Sequence, residues 1–507
     1  MQYREGNNKE SMTMNKNILK IFSGVIFLIL ISKGLGFIRE SFIAARYGAG
    51  YISDVYVFED GLINALYTVW AGVISTTYVP MSLSMDSKKQ NKFSSNFLNI
   101  FILIVLFICV FIIAFTNLLL HLLVPGFFTL YDSKVIAELI LITRVNALSL
   151  LLVFLENYFI VFLQSKKIYI FSSIQGIILN ASLILYLLFF YKYGIWGIVI
   201  TKIVAHLFNV IVLIVFVQNR KLFNYSFYIN FKEAYVKEII RLASPVFILN
   251  LISQLNYIVD RSMASSLDSG SMALLNYANV IASLLYSVLG TSLTTMAYTE
   301  MSTCQNNTEK LQNEFSKFLE LLVDIITPAC IVMIVMRENI VSVFYGRGQI
   351  SGESLQVIML VVILYVPSNY LMSLRDLMNR LMYINKKTTI PSIITGVTFG
   401  LNIFLNLVLV KYIGVYGLAL ATSISSFVAT IVSYIYIKHS GFVTKKVSLK
   451  KVKFIYLILA MCACVLAKDC IRGNIVLKII SIIIGGGLTL TIFNLDLIIS
   501  KLNGSGE

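Results

Sequence analysis

Residues 166–198 read KKIYIFSSIQGIILNASLILYLLFFYKYGIWGI, and residues 386–418 read KKTTIPSIITGVTFGLNIFLNLVLVKYIGVYGL. Each stretch is a lysine pair, an apolar run of helical length, a Gly-x-x-Gly step and the opening of a second apolar run. They lie 220 positions apart, and ten of their 33 aligned positions are identical without a gap. Leucine and isoleucine matches mean little in so apolar a chain. The matches of Lys166-Lys167 with Lys386-Lys387, Gly176 with Gly396, Gly194 with Gly414 and Gly197 with Gly417 mean more. The same offset carries Glu40 to Asp260, Ala44 to Ala264, Gly50 to Gly270 and Tyr78 to Tyr298. Six apolar runs separate the copies. An even number preserves direction through a membrane, so the two halves are expected to be parallel repeats.

Working outward, the chain of 507 residues is 58% hydrophobic and only 13% charged. Soluble domains carry about 25% charged residues. With a mean hydropathy of +0.83, a soluble fold and a disordered chain are both excluded. Apolar runs of ~20 residues are long enough to cross a bilayer as helices, whereas membrane barrels alternate over ~10. The spacing predicts an all-α polytopic membrane protein with fourteen spans, near 18–47, 54–82, 96–124, 136–164, 168–190, 193–217, 239–264, 271–301, 313–336, 354–384, 388–410, 413–437, 452–468 and 475–499. Two six-helix lobes are expected at 1–217 and 218–438, with a two-helix extension at 439–507. No room is left for a soluble catalytic domain.

The net charge of +16 is spread over short loops, which speaks for membrane topology rather than nucleic acid. With the N-terminus in the cytoplasm, the inner segments hold 25 of the 41 lysines and arginines and the outer loops hold 8. Both chain ends are therefore expected in the cytoplasm. The polar, basic stretch 1–20 is followed by no small-residue cleavage site, and no cleaved signal peptide is expected. The six cysteines and three histidines show no metal spacing.

Ionisable residues inside spans are functional candidates, because each costs about 3 kcal/mol or more near the bilayer centre. In the first span Lys33, Gly36 and Glu40 fall at i, i+3 and i+7, with Arg39 about 100° away. Asp54, Glu59 and Asp60 open the second span. Asp260 and Arg261 sit together in the seventh. Lys33, Arg39 and Arg261 stand on the first helices of the two halves, where a rocking transporter faces its cavity. Cations there imply an anionic cargo, and guanidinium groups suit phosphate oxygens.

At these residues a family resemblance appears. Ser32-Lys33-Gly34-Leu35-Gly36-Phe37-Ile38-Arg39-Glu40 resembles the S-R-x-L-G-F-x-R-D motif of the MurJ/MviN lipid II flippases. Tyr47-Gly48-Ala49-Gly50 with Asp54 resembles F-G-A-G-x-x-x-D, and Tyr78-Val79-Pro80 resembles F-V-P. Val259-Asp260-Arg261, Leu275-Asn276-Tyr277-Ala278 and the run from Gly414 to Ser423 resemble the family's seventh, eighth and twelfth helices. Departures exist. Lys33 replaces an arginine and Glu40 an aspartate, Leu66-Tyr67 stand where Arg-Arg is usual, and Asn279-Val280 follow Ala278 without the usual arginine.

The resemblance implies a bacterial cytoplasmic-membrane flippase of the multidrug/oligosaccharidyl-lipid/polysaccharide exporter superfamily. No covalent chemistry is implied, so the protein is expected not to be an enzyme. Lipid II would pass from the cytoplasmic to the outer leaflet by alternating access. Lys33, Arg39, Glu40, Asp54 and Arg261 would bind the cargo. Matching to the family implies a sodium site at Asp260, Asn402, Asn406, the Leu418 carbonyl and Thr422. No other cofactor is implied. The implied partners are the lipid-linked glycan, membrane lipids, and cell-wall or polysaccharide synthesis proteins. The rivals are a flippase for another polyprenyl-diphosphate glycan (exopolysaccharide, capsule or O-antigen unit), a cation-coupled drug exporter, a membrane glycan polymerase and an inactive scaffold.

Overall fold

A computed structural model of the protein describes residue 24 and residues 27–443, 451–470 and 474–495. The basic N-terminus at 1–20, both chain ends, residues 444–450 of the last basic loop and Arg472 lie outside the described residues. The described chain is helical, with no strand among those residues. The cause is compositional. Long apolar runs must satisfy every backbone amide internally once water is absent, and a helix does so within one segment.

The long helices in order are α1 (27–47), α2 (Tyr51–Leu83), α3 (Ser87–Ala114), α4 (Ser133–Ser165), α5 (Phe171–Phe189), α6 (Gly194–Asn219) and α7 (Ala234–Ser265). Then come α8 (Ser271–Thr303), α9 (Thr308–Val335), α10 (Gly352–Ile384), α11 (Thr389–Ile413), α12 (Val415–His439), α13 (Lys451–Cys470) and α14 (Ile475–Phe493). Twelve of them, α2 to α12 and α14, are long and apolar enough to cross a membrane. Of the other two expected spans, α1 carries Lys33, Arg39, Glu40 and Arg46, and within α13 the apolar helix runs from Tyr456 to Lys468. Proline interrupts α2, α7, α9 and α10 at Pro80, Pro245, Pro328 and Pro367. A π-helical turn, Leu285–Gly290, interrupts α8.

By contacts the chain forms two compact units. Unit 1 comprises residues 1–43 and 58–254, and unit 2 comprises 44–57 and 255–507. Unit 1 packs around an aromatic cluster. The Tyr78 ring stacks on Phe93 and meets Tyr158 edge-on. Phe97 stacks on Phe101, and Phe101 on Phe154. The two buried phenols are satisfied at one place, Tyr78 Oη against Ser94 Oγ at 2.7 Å and Tyr158 Oη donating to the Ser94 carbonyl at 2.9 Å.

The repeated glycines have a structural reason. Gly194 and Gly414 both take positive φ, +57° and +54°, at the turn between two antiparallel helices. One turn further on, a side chain at Gly197 would strike the Tyr186 ring, and one at Gly417 would strike the Leu409 backbone at 2.6 Å. The α5–α6 and α11–α12 hairpins are therefore the same device. The lysine pairs are offset by one. Lys167 is the left-handed residue in the first copy, and Lys386, the first of its pair, in the second. Each turns the chain after a long helix by the same two amide-to-carbonyl bonds, at Lys167 and Ile168 or at Lys386 and Lys387.

A charged cavity in unit 1 and an amide–carboxylate cluster in unit 2

In unit 1 a cavity of about 320 Å³ opens among α1, α2, α4, α5 and α6. Helix α1 contributes Lys33, Gly36 and Arg39; α2 contributes Asp60, Asn64 and Tyr67; α5 contributes Gln175 and Asn180; α6 contributes Lys202 and His206. Sequence spacing placed Glu40 on the face of Lys33 and Gly36. In the structure Arg39 lines the cavity with them, and Glu40, only 4% exposed, accepts the Arg39 guanidinium at 2.7 Å. The other arm of Arg39 donates to Asn180 Oδ1 at 2.9 Å, and Asn180 Nδ2 donates back to the Ser32 carbonyl at 3.0 Å. Helix α5 thereby holds the α1 guanidinium in a fixed direction.

The second cation is Lys202. Its Nζ meets Asp60 Oδ1 at 2.6 Å, while Asn64 donates to Asp60 Oδ2 at 2.8 Å. One helical turn along α6, His206 Nδ1 lies 3.0 Å from Glu156 Oε1, and Gln175 donates to Glu156 Oε2 at 2.7 Å. Glu59 faces away and is closed off by Thr143 and Asn146. Charges inside apolar helices thus survive by pairing. The result is a polar chamber whose cations Lys33, Arg39 and Lys202 come from α1 and α6.

Asp54 and Arg261 belong to unit 2. Both Asp54 oxygens are occupied, by the amides of Gly270 at 2.6 Å and Ala273 at 2.8 Å, so the carboxylate caps the start of α8. Arg261, 7% exposed, donates to Tyr257 Oη at 3.0 Å and Asn276 Oδ1 at 3.2 Å, and its guanidinium lies 4.5 Å from the Tyr257 ring centre. Its Nε is buried with no hydrogen-bond partner.

Three residues of the expected cation set come together. Asn406 Nδ2 donates to Asp260 Oδ1 at 2.6 Å and to Asn402 Oδ1 at 3.0 Å. On α12 the Thr422 hydroxyl donates to the Leu418 carbonyl at 3.0 Å. Asn406 Oδ1 is buried and accepts nothing. An orphaned amide oxygen and a carboxylate are donors that a hard cation takes, so Asp260, Asn402 and Asn406 fit sodium.

The sequence reading missed four cavity residues, Asn64, Gln175, Asn180 and His206. The signal was present in part. His206 follows Lys202 at i+4, and Gln175 and Asn180 are the two amide side chains in a mainly apolar α5.

Paired charges around a chamber inside membrane-length helices define the class: a polytopic transporter. The fold agrees. It superposes on an inward-facing conformation of a multidrug resistance MATE family transporter of the MOP superfamily with TM-score 0.70 at 12% identity, over 81% of this chain and 95% of that one. It superposes on a structure titled lipid II flippase MurJ, inward closed conformation, with TM-score 0.78 at 22% identity, over 94% and 99%. At such identities the likeness is one of fold. In sequence, the chain is 23% identical to a probable lipid II flippase MurJ of Buchnera aphidicola subsp. Acyrthosiphon pisum (strain APS), over 87% of each chain. The profile of the family described as lipid II flippase MurJ matches residues 43–483, and the chain belongs to that family.

Proposed function

We propose that the protein carries lipid II from the cytoplasmic to the outer leaflet by alternating access, with lobes 1–217 and 218–438 as the moving parts. The observation that carries this reading is the unit 1 chamber, which presents Lys33, Arg39 and Lys202 inside membrane-length helices. A diphosphate is the part of a polyprenyl-linked glycan that hydrocarbon excludes, and guanidinium and ammonium donors replace its water. Arg261 is the corresponding cation of unit 2, with a buried Nε still able to donate. Glu40 orients Arg39 and Asp54 holds the start of α8, so both act on the site through their neighbours. No bond is made or broken. The chain ends lie in the cytoplasm, and the membrane is the bacterial cytoplasmic membrane. The partners are membrane lipids and the cell-wall enzymes that make and use the cargo.

Sodium fits as the coupling ion. Asp260, Asn402, Asn406, Thr422 and the Leu418 carbonyl would hold it, and its charge would offset Asp260 and give Asn406 Oδ1 a partner. One observation favours a second reading. Tyr67 lines the chamber at the position where the family resemblance leads one to expect an arginine. A thinner anion site suits another polyprenyl-diphosphate oligosaccharide.

The test is complementation of a flippase-depleted strain, with native mass spectrometry of the bound glycolipid. Rescue of growth with lipid II bound supports the first reading. Binding only of a capsule-type or exopolysaccharide-type glycolipid, without rescue, selects the second. Neither binding nor rescue, at normal expression, removes both.

A further inference from the structure

Helices α13 and α14 have no counterpart in the repeat, and they wall a second cleft, of about 700 Å³, in unit 2. Most of its lining side chains are polar, and it lies at the end of unit 2 where α13 finishes and α14 begins. Lys478, in the first turn of α14, donates to the neutral Ser342 hydroxyl at 2.9 Å and pairs with no carboxylate among the described residues. Lys468, at the end of α13, meets Glu338 at 2.9 Å. Asn339 and Gln356 add two side-chain amides, and Gly352, Leu355 and Met359 complete the lining. Two ammonium groups thus face one carboxylate. The hairpin is anchored beneath the cleft. Asn339 Nδ2 donates to Ser481 Oγ at 3.3 Å, and that hydroxyl donates to the Ala467 carbonyl at 3.0 Å. Close packing of Gly485 against Met336 holds α14 at that level.

A cation in the first turn of a membrane helix, held only by a hydroxyl, is poorly compensated. An anion entering from outside the chain would satisfy it. The volume falls within the range that takes a small molecule or head group. The donors, Lys478 Nζ, Lys468 Nζ and the side-chain amides of Asn339 and Gln356, suit an anion with several acceptor oxygens. We propose that this cleft binds a phosphate group, that of an anionic lipid head group lodged against the C-terminal hairpin. The site rests on the membrane reading of the helices and is independent of which cargo the chamber in unit 1 carries. Its consequence is a reason for α13 and α14, which wall an anion site separate from the cargo chamber.

The experiment uses the full-length protein in a neutral detergent and follows its thermal stability. Inorganic phosphate, phosphatidylglycerol and phosphatidylcholine are titrated separately. Phosphatidylglycerol is expected to stabilise the protein where phosphatidylcholine does not. Stabilisation by inorganic phosphate as well identifies the phosphate as sufficient, whereas a response to phosphatidylglycerol alone shows that the lipid chains contribute. Lys478→Gln should weaken the response about tenfold, and Lys478→Arg should keep most of it. Glu338→Gln, which removes the competing carboxylate, should strengthen it. That gain keeps the test decisive if a lysine variant folds poorly. The proposal is overturned if neither ligand stabilises the wild type beyond phosphatidylcholine. It is equally overturned if Lys478→Gln and Glu338→Gln both respond as the wild type does. Transport is not read in this assay, so failure of the flippase reading leaves the result standing.

Discussion

Asn406 gives its amide to Asp260 across 2.6 Å and keeps its own carbonyl oxygen buried without a donor. In the proposed sodium site the pair would supply one carboxylate and one orphaned oxygen, with Asn402 beside them. Sodium should therefore raise the melting temperature of the wild type relative to potassium at equal ionic strength. Asp260→Asn, which leaves only neutral oxygens, should abolish the difference. A mutant stabilised as strongly as the wild type would place the ion elsewhere.

Arg39 is expected to be the most sensitive cation of the unit 1 chamber, because Asn180 and Glu40 both fix its direction. Losing a charge-assisted bond worth ~1.5–3 kcal/mol weakens glycolipid binding by roughly ten- to a hundredfold. Arg39→Ala should show that loss by native mass spectrometry and fail in complementation. Arg39→Lys should recover part, since it keeps the charge and loses the fork. Arg261→Ala is expected to behave in the same way. Normal growth and binding in both alanine variants would make these arginines structural.

Lys202 and Asp60 form a pair whose side chains are 5% and 25% exposed. Removing one partner strands the other charge. Lys202→Met should cost about 3–5 kcal/mol of stability. The double change Lys202→Met with Asp60→Asn should cost less than Lys202→Met alone. Denaturation in detergent measures both, and additive losses would show that the two groups do not depend on each other.

Gly417 and Gly400 lie on neighbouring helices and should respond in opposite directions to alanine. A methyl at Gly417 meets the Leu409 backbone, which cannot yield, whereas a methyl at Gly400 meets nothing within 4 Å. Gly417→Ala should destabilise by ~1–3 kcal/mol. Gly400→Ala should be neutral or stabilise by up to about 1 kcal/mol through helix propensity. A thermal melt of each variant decides it.

Orientation is open to labelling. On a cysteine-free background, Ser448→Cys should resist an impermeant thiol reagent in intact cells, and Arg347→Cys should react. The reverse pattern would invert the proposed topology.

The helices and the repeat were legible because both rest on patterns that survive in one dimension. Apolar length marks a span, Gly194 and Gly414 take the positive φ of the hairpin turn, and Gly197 and Gly417 stand where a side chain would strike its neighbour. Which charges meet was not legible. Lys33 and Arg39 stood out as cations within a span, but no spacing along α1 names Asn180 of α5 as a partner of Arg39, and none joins Asp60 of α2 to Lys202 of α6. Asp54 shows the same limit. Its place in a family motif suggested the cargo, whereas its two oxygens hold the amides of Gly270 and Ala273, more than two hundred residues away.

That long-range cap bears on how the gene can be divided. Residues 44–57 belong to the compact unit built from the C-terminal part of the chain. Tyr277 also donates to the Gly48 carbonyl at 2.9 Å. A break at 217/218, between the sequence repeats, therefore does not yield two self-sufficient pieces. The C-terminal fragment made alone lacks the carboxylate that starts α8, and co-expression with 1–217 should be needed to recover it.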